Sequence, residues 1–168
     1  MYALWLLGPL VEGIWGMRSF ALFYVLTAAA ASTASFLTNP ITSVGASGAI
    51  FGLVRVILAG NRAHHPILDA RTRGIVAQLG GLVVINLLIG FLAGGFIDNA
   101  AHIGGLIAGF WLGFVVPPGR VPTLTSLWQR PGGPSDARPM PLVIAGVLLL
   151  VGVIAIGVAA GPGALAFG

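Results

Sequence analysis

A serine and a histidine stand out because each lies in an apolar segment with few other polar side chains. Ser47 lies in GASGAIFG at residues 45–52, and His102 lies in AHIGG at residues 101–105. Ionisable side chains inside apolar spans are rare and commonly functional. A neutral imidazole can take the proton of a serine hydroxyl and so activate the oxygen as a nucleophile. We therefore predict a catalytic pair in which Ser47 is the nucleophile and His102 is the general base.

The composition around this pair is that of a helical membrane protein. Of the 168 residues, 57% are hydrophobic and 7% are charged, whereas soluble domains carry about 25% charged residues. The formal net charge of +4 comes from arginines scattered along the chain, with no basic cluster interleaved with aromatic residues, so nucleic acid is not an expected partner. The chain has no cysteine and no metal, phosphate-loop or dinucleotide motif. We therefore expect neither a metal nor another cofactor.

Six apolar segments predict an all-α, polytopic transmembrane helix bundle. A span needs about 20 apolar residues; the fourth and sixth segments supply them, whereas the first has only half that length before Glu12. If the spans alternate in direction, all eight arginines fall on one side, which the positive-inside rule makes cytoplasmic. Ser47 and His102 then lie at similar depths near the outer ends of the third and fifth spans. The predicted segments are 1–16, 20–37, 44–60, 74–95, 100–117 and 140–161.

Small residues at intervals of four predict that the third and fifth helices touch. Such stripes let helix backbones approach closely in membranes, and Ser47 and His102 each lie directly beside one. Helices pressed together along these faces would bring the hydroxyl and the imidazole into one interface. The residues concerned are Gly48 and Gly52 in the third segment, and Ala101, Gly105, Gly109 and Gly113 in the fifth.

Structural roles for the same residues remain open alternatives. Serine is common at transmembrane packing faces, and a buried histidine can simply bond a neighbouring backbone carbonyl. Asp98, one turn before His102, could orient the ring, but an Asp-Asn sequence ahead of an apolar helix favours an N-cap, and therefore a dyad over a triad. The order Gly-x-Ser-Gly differs from the Gly-x-Ser-x-Gly elbow, which excludes an α/β-hydrolase.

Three stretches together resemble the rhomboid family of intramembrane serine proteases, and the resemblance runs from residue 1 to about 117. They are GASGAIFG, AHIGG with its Gly-xxx-Gly continuation, and ALWLLGPLVEGIWG at residues 3–16. The resemblance implies a rhomboid-like bundle in which Ser47 is the nucleophile and His102 the general base, on the family's fourth and sixth helices. It also implies backbone support for the oxyanion at Gly45, Ser47 and Gly48, and transmembrane proteins in the lipid bilayer as substrates.

The resemblance further implies that the family's first helix and part of its second would precede Met1. Those parts carry a His-x-x-x-Asn pair that helps to form the oxyanion hole, and losing one such donor costs about 2.7–4 kcal/mol, or 10²–10³ in rate. Activity of the 168 residues alone is therefore not implied. We expect a protease core at 1–117 that is incomplete at its N-terminus, a cytoplasmic linker at 118–139, and an additional C-terminal transmembrane helix at 140–168.

The sequence thus predicts an integral, multi-pass protein of the plasma (inner) membrane that cleaves transmembrane segments of other proteins with a Ser–His dyad. One alternative is a non-proteolytic rhomboid-like scaffold that binds client helices. Another is a small-solute transporter with His102 and Asn86 lining a path, although no internal repeat supports it. The oligomeric state and the identity of the substrate stay open.

Overall fold

The computed structural model describes residues 2–38, 46–64, 68–92, 98–118 and 140–161. Every regular element in these ranges is an α-helix, which confirms the all-α bundle that the sequence predicts. Two helical stretches, Met17–Thr38 and Thr72–Leu92, are long and apolar enough to cross a membrane, and shorter apolar helices accompany them. The helices are α1 (Tyr2–Trp15), α2 (Met17–Thr38), α3 (Ser47–Ala63), α4 (Ala70–Leu92), α5 (Asn99–Val115) and α6 (Met140–Ala160).

Two of the predicted features fall outside the described residues. The linker expected at 118–139 lies outside them apart from Pro118, and so does Gly45, the first residue of the serine-containing motif. Their predicted roles stay predictions.

A single glycine separates α1 from α2. Gly16 has a φ of 85°, in the left-handed region that glycine reaches without steric cost. The sequence predicts a longer break, but α2 begins at the next residue. Beside this turn, Trp15 packs edge-to-face against Phe23, with ring centroids 5.7 Å apart, and donates its Nε1–H to the carbonyl oxygen of Val116 at 3.1 Å. The turn therefore anchors the first two helices to the end of α5.

The central helix is α3. Ten of its 17 residues are buried, and it packs against α1, α2, α4 and α5. Leu53, Val56 and Ile57 expose no surface at all. The apolar sequence of α3 is interrupted by Arg55, which is exposed. The core therefore surrounds α3, and a side chain on this helix can meet partners from several neighbours.

The fourth helix lies at the edge of the bundle. Leu82, Val84 and Ile85 are each more than half exposed, whereas Val76 and Val83 of the same helix are buried. An exposed apolar surface of this extent suits lipid better than water. Helix α4 therefore presents most of its surface to the bilayer and only a narrow face to the bundle.

The last helix, α6, packs across α2 and α5. Trp111 on α5 donates its Nε1–H to the carbonyl oxygen of Gly146 at 2.8 Å. A Cβ added to Gly157 would lie 2.5 Å from the methyl carbon of Thr33 on α2. The segment predicted as an additional span is therefore in direct contact with the other helices.

Candidate active site

Ser47 and His102 lie in contact at one end of the bundle. Ser47 is the first residue of α3, and His102 lies in the first turn of α5. Oγ of Ser47 is 3.1 Å from Nε2 of His102, which is within hydrogen-bonding distance. The histidine is 5% exposed, whereas the serine is exposed. The ring therefore backs the hydroxyl from inside the bundle, and the hydroxyl can be approached from outside.

Glycines allow the backbones of α3 and α5 to touch. A Cβ added to Gly105 would collide with the carbonyl oxygen of Gly48, and one added to Gly109 would collide with that of Gly52. Gly113 makes the same kind of approach one turn further on. Because the contacts advance together along both helices, α3 and α5 run parallel and their first turns lie side by side. This pairing places the serine and the histidine in one interface.

Helix α2 closes the other side of this interface. A Cβ on Gly48 would lie 2.5 Å from Cβ of Ala31 and 3.0 Å from the carbonyl oxygen of Ala101. A Cβ on Gly104 would lie 2.8 Å from the carbonyl oxygen of Ala30. Three helix backbones thus meet with no space for a side chain beside Ser47, and this close packing holds the start of α3 in place.

An aromatic ring fixes the plane of the imidazole. Phe51 lies one helical turn after Ser47 and stacks on His102, with ring centroids 4.0 Å apart and an interplanar angle of 14°. Nδ1 of the histidine is buried and has no hydrogen-bond partner among the described residues. If Nε2 accepts the serine proton, Nδ1 must carry the ring proton. Stacking, and not a hydrogen bond to the far side of the ring, therefore orients the imidazole within the described part of the chain.

The carboxylate of Asp98 caps α5. Oδ1 accepts the backbone N–H of Ala101 at 2.9 Å, and Oδ2 accepts the hydroxyl of Ser35 on α2. This confirms the predicted N-cap. Since Nδ1 of His102 has no hydrogen-bond partner among the described residues, Asp98 does not complete a hydrogen-bonded triad. Its role is to hold the first turn of α5 against α2.

The start of α3 offers backbone donors beside the serine. The first N–H groups of an α-helix have no intrahelical acceptor and carry partial positive charge. The side chain of the N-cap residue, Ala46, accepts none of them, and the first intrahelical bond shown runs from the N–H of Ile50 to the Ala46 carbonyl at 3.0 Å. The N–H groups of Ser47 and Gly48 therefore belong to the set that could donate to a negatively charged oxygen.

The sequence analysis above does not predict three contacts of this region. Only the stacking of Phe51 has a signal in the sequence, since a residue four positions after Ser47 shares its helix face. The bond of Ser35 has none, since it joins residues 63 apart. Asn99 donates its Nδ2–H to the carbonyl oxygen of Leu87 at 3.2 Å and so links α5 to α4. Asn86, considered above as a polar residue lining a path, is exposed on α4.

The fold and the site define a polytopic helical membrane protein with a Ser–His contact at the paired N-termini of two helices. The family model of the Rhomboid domain matches residues 1–119, which is well over half of the chain. The chain therefore belongs to the rhomboid family, as its motifs indicate, and is an integral membrane protein.

Relatives occur in bacteria and plants. The chain is 39% identical over 109 residues to rhomboid protease GluP of Bacillus subtilis (strain 168), a match covering 65% of this chain and 21% of GluP. It is 35% identical over 119 residues to RHOMBOID-like protein 5 of Arabidopsis thaliana, covering 69% of this chain and 38% of that protein. It is 37% identical over 75 residues to rhomboid protease AarA of Providencia stuartii, covering 39% and 25%. The chain thus matches well under half the length of each of these relatives.

Proposed function

We propose that this chain acts as part of an intramembrane serine endopeptidase that cleaves transmembrane segments of other membrane proteins. Ser47 is the nucleophile and His102 is the general base. The observation that carries the proposal is the 3.1 Å contact between the serine Oγ and the histidine Nε2. The rhomboid family membership and the protease names of two bacterial relatives support the same reaction class.

The geometry fits acyl transfer through a covalent intermediate. Nε2 of His102 takes the proton of the Ser47 hydroxyl as Oγ bonds to the carbonyl carbon of the substrate. The carbonyl oxygen becomes an oxyanion beside the N–H groups at the start of α3, which stabilise it. The histidine then gives its proton to the leaving amine as the peptide C–N bond breaks. A water molecule, deprotonated by the same ring, attacks the acyl carbon, and the ring returns that proton to Oγ as the C–Oγ bond breaks, which regenerates the serine.

Access to the pair suits a substrate that arrives from the outer side. Ser47 is exposed at the beginning of α3, and three of the described arginines, Arg18, Arg62 and Arg73, lie at or near the opposite helix ends. The positive-inside rule makes that opposite end cytoplasmic. Water can therefore reach the serine without crossing the bilayer. Because a peptide bond inside a helix is shielded, the substrate must unwind locally, and helix-breaking Gly or Pro near the cut favours this.

The domain division fits this proposal. Residues 1–117 form the protease core, and the chain at 140–168 supplies an additional helix. The family match to residues 1–119 supports the first boundary. The hydrogen bond from Trp111 to Gly146 joins the added helix to α5, which carries the histidine. This bond favours a role for α6 in stabilising the position of α5.

A rhomboid-like scaffold that holds client helices without cutting them is the second candidate. The observation that favours it is the naming of several plant relatives as RHOMBOID-like proteins, without the word protease. A fluorophosphonate probe separates the two functions, because it reacts with an activated serine and not with a merely structural one. Labelling at Ser47 supports the protease, and its absence in a folded protein supports the scaffold.

Two substitutions in the full-length protein test the protease directly. Ser47→Ala and His102→Ala should each abolish cleavage of a transmembrane test substrate in liposomes. Ser32→Ala is the matched control, since Ser32 is an exposed serine on α2 and its loss should leave cleavage unchanged. Equal cleavage by the Ser47→Ala variant and the unmodified protein would refute the assignment of the nucleophile.

A further inference from the structure

A charged side chain that the proposed chemistry does not use lies in the middle of α3. Arg55 is the ninth of the 17 residues of this helix and is exposed. Its guanidinium lies over the ring of Phe110, 5.0 Å from the centroid, and within the described residues it forms no ion pair. A charge at this depth of a membrane is costly and is commonly functional. Arg55 therefore calls for an anionic partner.

The side chain points into the bilayer and not toward its cytoplasmic face. The contacts between Gly48 and Gly105 and between Gly52 and Gly109 set the register of α3 against α5. In that register Arg55 is level with residue 112, yet its guanidinium lies over Phe110, nearer to the His102 end. An arginine that snorkelled to the cytoplasmic interface would reach for the other end of α3. The guanidinium is instead held near mid-depth.

The same guanidinium borders an apolar groove. The groove has a volume of 570 Å³ and lies between α3, α4 and α5. Among the described residues that line it, Arg55 carries the single charge, and the others are glycine or apolar residues such as Leu58, Val83 and Leu87. Its wall residue Ile107 is 65% exposed, so the groove opens on the lipid side. One cation beside a long apolar surface matches a ligand with one anion and a hydrocarbon body.

We propose that this groove binds a long-chain fatty acid, with the carboxylate on Arg55 and the hydrocarbon chain along α4 and α5. A guanidinium can bind a carboxylate through two parallel hydrogen bonds. The volume lies within the range of about 300–1,000 Å³ typical of small-molecule sites. This inference does not depend on the proteolytic role of Ser47.

Depth distinguishes a fatty acid from a phospholipid. Phospholipid headgroups lie at the edges of a hydrocarbon core about 30 Å thick. Arg55 lies eight residues from either end of α3, or about 12 Å along the helix axis. A phosphate would have to be drawn deep into the core together with its glycerol. A free fatty acid has a single small headgroup and can lie at this depth once its carboxylate is paired.

The test uses the whole protein in maltoside detergent and a photoreactive diazirine analogue of palmitate. Irradiation should label peptides of α4 and α5. Arg55→Gln should raise the analogue concentration that gives half-maximal labelling about tenfold, which corresponds to the lower range for a hydrogen bond to a charged group. Arg55→Lys should retain part of the binding. Arg62→Gln is the matched control, since Arg62 is exposed on the same helix but does not line the groove. Ile107→Trp should block labelling while leaving the arginine in place.

Competition identifies the chemistry that is recognised. Unlabelled palmitate should displace the analogue, and hexadecanol, which has the same chain without the charge, should not. Equal competition by hexadecanol, or equal labelling of the Arg55→Gln variant, would overturn the proposal. Stronger displacement by lysophosphatidylglycerol would also overturn it, because the ligand would then be a lipid phosphate. Thermal unfolding of each variant verifies that a loss of labelling comes from a folded protein.

Discussion

Gly105→Ala should separate the serine from the histidine without altering either side chain. The added Cβ would collide with the carbonyl oxygen of Gly48, a backbone atom that cannot turn aside as a flexible side chain could. Ordinary van der Waals contact begins near 3.4 Å, so α5 must move from α3 by about 1 Å, and a displacement of that size can cost about 10²-fold in rate. His102 lies one turn before the substitution and moves with α5. Its 3.1 Å contact with Ser47 should therefore be lost.

Two measurements on Gly105→Ala check this reasoning. Fluorophosphonate labelling of Ser47 should slow by about 10²-fold, and the free energy of unfolding should fall by about 1–3 kcal/mol, as for overpacking of a tight core. Gly81→Ala is the matched control, since Gly81 is an exposed helical glycine with nothing within 4 Å of an added Cβ. It should leave labelling unchanged and stabilise α4 by about 0.5–1 kcal/mol. Normal labelling and stability of Gly105→Ala would refute the idea that this helix contact positions the pair.

Two further predictions concern the surroundings of the histidine. Phe51→Leu removes the ring stacked on His102 while keeping a large apolar side chain. Fluorophosphonate labelling should slow about tenfold, and the free energy of unfolding measured with denaturant should fall by about 1 kcal/mol. Labelling at the original rate would contradict the orienting role of Phe51. Asp98→Ala removes the cap of α5 and should lower the free energy of unfolding by about 1–2 kcal/mol. Ser35→Ala should cost about 1 kcal/mol, and full additivity of the two losses in the double variant would argue against the bond between these side chains.

The contact between α3 and α5 could be predicted because small residues are visible in the sequence. Glycines such as Gly48 and Gly105 recur at intervals of four, and this spacing puts them on one face of a helix. Asp98 could be predicted as a cap for a similar reason, since capping depends on a few neighbouring residues. Features that depend on the spacing of nearby residues can therefore be predicted from the sequence. A contact between two helices can be predicted only when both helices show a recognisable pattern, such as spaced glycines.

Helix boundaries were harder to predict where polar residues begin a helix. The sequence predicts the fourth segment at 74–95, but α4 begins at Ala70. Asp69 explains the difference, because its carboxylate accepts the N–H of Thr72 at 3.0 Å and its carbonyl accepts the N–H of Arg73 at 2.9 Å. The first turn is therefore capped and helical although it is basic. Hydropathy indicates where the apolar part of the helix begins, and this point lies after the first residue of the helix.

The close packing that places the Ser–His contact also accounts for the position of Arg55. Since glycine contacts bring the backbones of α3 and α5 together, a long side chain of α3 cannot lie between them, and the paired helices leave a fixed wall on the α4 side. Arg55 lies on that wall, above Phe110, while Ser47 lies at the open end of the same helix. One rigid helix pair thus presents a hydroxyl where water can arrive and a cation where lipid lies. Loosening the pair should disturb the proposed serine chemistry more than the proposed carboxylate site, because the first requires His102 on the neighbouring helix, whereas the second requires only the charge of Arg55.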